Sequence, residues 1–160
     1  MVRRLRGAAV VRRNGPTARL AGSKICGVST EHDPARSKLL FAFLLAYMVG
    51  SFIHHFHNAQ FIDEYPNMPT GFPVALAYVV WGAVTLVGLA GYYGVRRGHE
   101  LLGLGAMGVY AAYGLLVLGH YRLASFSAYT LGANATIGLE LLTAAPLLAA
   151  VMVFLVKGRD

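Results

Sequence analysis

Four uninterrupted apolar runs constrain this chain more than any other feature in it. They extend over about 38–60, 73–95, 100–121 and 132–156. A helix rising 1.5 Å per residue needs about 20 apolar residues to cross the roughly 30 Å core of a bilayer. All four runs reach that length. Hydrocarbon holds no water to satisfy backbone amides, so each crossing segment has to close its own hydrogen bonds as a helix. Short connections between the runs predict an up-down-up-down order. The expected fold is all-α: an integral membrane, antiparallel four-helix bundle over residues 38–160, preceded by a disordered, basic N-terminal tail over residues 1–37.

Composition supports this reading. The chain is 56% hydrophobic and 13% charged, whereas soluble domains are about 25% charged. A net charge of +7 raises the question of nucleic acid. Nine of the fourteen Lys and Arg residues, however, lie in the first 38 positions. That tail has no interleaved aromatics and adjoins a span, so anionic lipid headgroups explain it better, and no nucleic-acid partner is expected. Its turn pairs Gly15-Pro16, Ser29-Thr30 and Asp33-Pro34, with no apolar period, predict disorder. Cys26 is the single cysteine, so it has no internal disulfide partner, and it belongs to no metal-ligand spacing. The first apolar run is too long for a signal peptide and lacks a small-residue cleavage site, which predicts a retained helix.

The basic residues also orient the bundle. With the N-terminus inside, the tail, Arg96, Arg97, Lys157 and Arg159 place 13 cations inside, and only Arg122 lies outside. The positive-inside rule then predicts cytoplasmic termini and, for a bacterial chain, an inner-membrane location. Tyr65, Phe72, Tyr121 and Tyr129 are expected in the outer aromatic belt. Glycine is frequent in the second and third runs (Gly82, Gly88, Gly91, Gly103, Gly105, Gly108 and Gly114 among them) and predicts close helix packing. Pro146 marks an expected kink in the fourth run.

The chemistry concentrates at one end. The first run closes on Ser51-Phe52-Ile53-His54-His55-Phe56-His57-Asn58. His54, His57 and Asn58 are i,i+3 and i,i+4 neighbours on one expected face, and His55 is turned about 100° away. Two imidazoles one turn apart can converge on one metal ion. Asp63 and Glu64 follow closely enough to complete a site or orient a histidine. On the third run, Tyr110, Tyr113, Val117 and His120 are expected to share a face. Glu140 is the one acid inside any run, Glu100 standing at the boundary of the third; it is about 12 Å deep by helical rise, with Thr136 one turn above it. An intramembrane carboxylate calls for a partner or a cavity. Antiparallel packing brings His54, His57, His120 and Glu140 into the same outer half as an expected metal-ligand set, with His55, Asn58, Asp63, Glu64 and Tyr113 as supporting or alternative ligands. His32 and His99 fall at the opposite end.

A phosphate-cradling glycine loop, a GxSxG elbow and an HExxH motif are all missing from the sequence. Three functional readings follow. The first is a His/carboxylate site for a transition metal (Fe, Cu or Zn) or for one haem b held between His120 and His54 or His57, with redox chemistry on a lipophilic substrate as its enzymatic form. The second is a small accessory or assembly subunit, with other membrane subunits or a second copy as partners besides the lipid bilayer. The third is proton or ion handling by Glu140 with the histidines.

Overall fold

The computed structural model describes residues 34–68, 71 and 73–158; the expectations for the tail before Pro34, with Cys26 and His32, lie outside the described residues, as does Phe72. Helix α1 spans Pro34–Gln60, α2 Val74–Arg96, α3 Glu100–Gly114, α4 His120–Leu123 and α5 Leu131–Lys157. A 3-10 stretch, Leu115–Gly119, links α3 to α4, so that Glu100–Leu123 forms one span. Among the described residues four helical spans are therefore long and apolar enough to cross a membrane, and they form an all-helical, polytopic membrane bundle.

Local chemistry sets the helix ends. α1 begins at Pro34, four residues ahead of the apolar run and inside the stretch read as tail. Proline suits a first helical position, because its φ is preset and its missing N–H would have no partner there. α2 ends in a glycine cap. Gly98 takes φ +85°, its N–H donates to the Val95 carbonyl, and the His99 N–H donates to the Gly94 carbonyl at 2.9 Å. This pattern satisfies the last carbonyls and reverses the chain within three residues, so α3 starts directly at Glu100. The Thr130 hydroxyl accepts from the Ala133 N–H at 3.1 Å and caps α5. α5 remains one helix through Pro146.

α1 packs against α2 and α5, and α3 packs against the same two. The antiparallel order is visible in its cross-links. Arg36 pairs with Glu100 at 3.1 Å near one end, and His54 lies 3.8 Å from Glu140 toward the other. Lipid gives no hydrophobic drive for helix association, so close packing has to supply the attraction. Gly91 and Gly103 provide it between α2 and α3: a Cβ on Gly103 would lie 2.6 Å from the Gly91 carbonyl oxygen, and one on Gly91 2.8 Å from that of Gly103.

The interior is divided by depth. Leu40, Leu44, Leu104, Met107, Leu147 and Val151 fill the half that bears Arg96, Arg97 and Lys157, here called the basic end. At the opposite, histidine end the connecting segments fold back over the bundle and bury Tyr65 and Tyr129 with Val117, Ala133 and Ile137. Both tyrosines are core residues here, in place of the expected belt positions. Outward-facing side chains such as Leu86, Leu102, Val109 and Leu142 are apolar and exposed, as contact with acyl chains requires.

Because the obstacles at Gly103 are backbone atoms, neither helix can yield without separating. Gly103→Leu is expected to destabilise the bundle by about 1–3 kcal/mol or more, read as a lower thermal midpoint in detergent. Gly105→Leu, where a Cβ meets open space, should leave that midpoint unchanged.

Candidate functional site

A cavity of about 280 Å³ opens among α1, α2 and the third span at the histidine end. His54, His55, Asn58, Tyr113, His120 and Glu140 supply its polar wall, and Leu76, Ala77, Val80, Leu116 and Val117 its apolar one. At 100° per residue, His54, Asn58 and His55 cover an arc of about 100° that faces the cavity, while His57 lies about 60° to the other side. His57 therefore turns toward the start of α5, away from the remaining expected ligands. The 3-10 stretch winds more tightly than an α-helix, at about three residues per turn. This places Leu116 beside Tyr113 and Val117 on the cavity wall and leaves Tyr110 out of it.

His54 and Glu140 are 3% and 2% exposed, and Nε2 of one lies 3.8 Å from Oε2 of the other. The proton on His54 can be located. The Thr136 hydroxyl donates to the Ala133 carbonyl at 3.0 Å, so at 3.4 Å from His54 Nδ1 its oxygen is the acceptor. Nδ1 thus carries the hydrogen, and Nε2 presents its lone pair to Glu140. Thr136 does not bond Glu140, although the two are one turn apart on α5. In His55, Nδ1 donates to the Ser51 carbonyl at 2.9 Å, which leaves Nε2 as acceptor. The His120 ring meets that of His54 edge to face, with centroids 5.3 Å apart.

The network continues outward. The Tyr65 hydroxyl lies 3.3 Å from Thr136 Oγ1 and 3.0 Å from His57 Nδ1. His57 Nε2 is 3.7 Å from Glu64 Oε2, which accepts in turn from the Thr130 hydroxyl. Gly132 makes room for this step, since a Cβ there would lie 2.9 Å from His57 Nε2. From Glu140 through His54, Thr136, Tyr65 and His57 to Glu64, protonatable or hydroxyl groups follow one another from a buried acid to a partly exposed one. Burial pushes the Tyr65 phenol up to about 12, with the acids Glu64 and Glu140 adding to the rise and the Thr136 hydrogen bond opposing it. Tyr65 therefore remains a neutral O–H donor at ordinary pH.

The structure thus gathers His54, His55, Asn58, Tyr113, His120 and Glu140 around one cavity. It sends His57 and Glu64 to a second cluster and leaves Asp63 exposed. Among the described residues, no three His, Cys, Asp or Glu side chains converge closely enough to hold a metal ion together. Two buried polar atoms on the cavity-lining residues, His120 Nδ1 and Asn58 Oδ1, have no hydrogen-bond partner among the described residues. Tyr65 is the functional candidate that sequence reasoning missed. It sits in an irregular turn, where no periodicity reports the direction of a side chain. No protein-family model matches the chain, and no curated protein or solved structure matches it either.

The raised Tyr65 value carries a sign. In the unfolded chain a tyrosine loses its proton near 10, but in the folded protein it does so near 12. This stability contribution is complete below pH 10 and is lost as pH rises through 12. Thermal midpoints recorded from pH 8 to 12 should fall in the wild type at the alkaline end, and fall less in Tyr65→Phe.

Proposed function

We propose that this is a proton-handling membrane protein in which Glu140 is the buried acid, His54 its base, and Tyr65 and His57 the link to solvent at the histidine end. The observation that carries this reading is the succession of groups from Glu140 to Glu64, each within 3.8 Å of the next. A proton leaving Glu140 passes to His54 Nε2 while the Nδ1 hydrogen moves to the Thr136 oxygen. The Thr136 hydroxyl turns from the Ala133 carbonyl and gives its own proton to Tyr65, whose proton goes to His57 Nδ1; the Nε2 hydrogen of His57 then passes to Glu64, which exchanges with water. Closing the 3.8 and 3.7 Å gaps to hydrogen-bond length takes only small side-chain rotations.

The remaining groups facing Glu140 are Tyr47 and Ser51 of α1 and Tyr110 and Tyr113 of α3. All are neutral hydroxyls, so His54 is the partner that compensates charge on the acid. Toward the basic end the hydroxyls run no further than Tyr110 and Thr85, which lie 3.3 Å apart; beyond them Leu40, Leu44, Leu104 and Leu147 fill the core. The site therefore exchanges with one side of the membrane and serves the contents of the cavity. The excess of basic residues at the other end supports a topology with the histidine end outside and the termini in the cytoplasm.

Infrared difference spectra of reconstituted protein stepped through pH test the reading. A buried carboxylic acid band should titrate in the wild type and vanish in Glu140→Gln. Tyr65→Phe should slow its appearance by on the order of 100-fold. A band that persists in Glu140→Gln, or an unchanged rate in Tyr65→Phe, would overturn the assignment.

The unpartnered Asn58 Oδ1 and His120 Nδ1 favour a second reading, in which His54, His120 and Glu140, which do not converge on one point as they stand, turn inward to hold a transition metal such as Fe, Cu or Zn. Such an ion would supply Lewis-acid or redox chemistry at the cavity. Stoichiometric metal in purified wild type, lost in His120→Ala, is the result that would establish it. A role as an accessory or assembly subunit draws no such support, since lipid alone accounts for the apolar outer surface; co-purification with a partner at fixed stoichiometry would be its sign.

A further inference from the structure

A second cavity, of about 550 Å³, lies at the other end of the bundle between α1 and α2, where the two spans enter and leave the membrane. Pro34, Ser37, Lys38, Phe41, Tyr92 and Arg96 line it. Its charges are unbalanced. On the opposite flank of α1, Arg36 is neutralised by Glu100 at 3.1 Å and lies over the Phe154 ring at 4.7 Å. Among the described residues, neither Lys38 nor Arg96 meets a carboxylate. Two exposed cations from neighbouring helices thus share one recess.

The rest of the recess is equally specific. The hydroxyls of Ser37 and Tyr92 lie 3.3 Å apart, with Ser37 buried, and offer donors beside the cations. Below them the rings of Phe41 and Tyr92, 5.4 Å between centroids, form an apolar wall. Cations and hydroxyls at the headgroup level suit a phosphate group, and an apolar wall descending from it suits the glycerol and upper acyl carbons of a lipid. A free phosphate ion would use the polar groups and leave the wall without a role.

We propose that this pocket binds the phosphodiester headgroup of an anionic phospholipid, with Lys38 and Arg96 holding the charge and Ser37 and Tyr92 orienting the oxygens. The proposal is independent of the histidine site.

Native mass spectrometry of the delipidated full chain in detergent tests it, with phosphatidylglycerol, phosphatidylcholine and inorganic phosphate as separate probes. Phosphatidylglycerol should be retained by the wild type at least tenfold more strongly than by the Lys38→Gln, Arg96→Gln double variant. Arg97→Gln, whose guanidinium lies over the Tyr93 ring at 4.8 Å, should bind like wild type. Retention that is equal in the double variant, or equal for phosphatidylcholine, would overturn the site. Binding of inorganic phosphate as tight as that of the lipid would overturn the assignment to lipid. All these variants change exposed side chains, and their thermal midpoints without lipid should match that of the wild type.

Discussion

An acid inside hydrocarbon has to be neutralised, protonated or paired, and the arrangement of this bundle follows from how Glu140 meets that demand. Leaving a carboxylate alone at such depth costs on the order of 3 kcal/mol even on insertion scales. The acid is 2% exposed and faces one basic group, His54. That imidazole is held in turn: Thr136 fixes its tautomer, and the rings of Tyr65 and His120 pack beside it. The polar network is therefore a continuous support whose centre is a single carboxylate.

The two ends of the molecule solve different problems. Near the basic end, aliphatic side chains and glycine-to-backbone contacts hold the helices together, with Ser37, Tyr92 and the cations at the rim. At the histidine end, connecting segments fold over the bundle and carry Tyr65 and Tyr129 inward, where Tyr129 donates to the His120 carbonyl at 2.5 Å. Dispersion and close approach stabilise one half, and hydrogen bonding in a low-dielectric setting stabilises the other. The division accounts for a polar cavity surviving inside a protein that is otherwise a lipid-facing apolar bundle.

Much of this was legible in the residues. The four spans and their antiparallel order follow from apolar length and short connections, with boundaries displaced by no more than a few residues; α1 reaches back to Pro34 because a proline start is set by local backbone chemistry and not by hydropathy. His54, His120 and Glu140 meet as their depths along the helices require. The fate of His57 was not legible, because i,i+3 spacing leaves a residue about 60° off a face, and a turn occupied by Glu64 and Tyr65 decides which neighbour it meets. Tyr65 itself lies where the chain has no period. The 3-10 stretch Leu115–Gly119 also escaped notice, since nothing in Leu-Leu-Val-Leu-Gly distinguishes it from ordinary helix.

The aliphatic core beyond Tyr47 and Tyr110 has an electrical consequence for the proposed proton path. The acid is nine residues beyond the start of α5, or about 14 Å of helical rise. A proton travelling between the nearer aqueous phase and Glu140 thus traverses less than half of the membrane field. Full transit is worth about 2.3 kcal/mol per 100 mV, so occupancy of the carboxylate responds to voltage by roughly 1 kcal/mol over the same range. On the proposed proton path, acidity at the histidine end would set the charge of Glu140, and the transmembrane potential would only trim it.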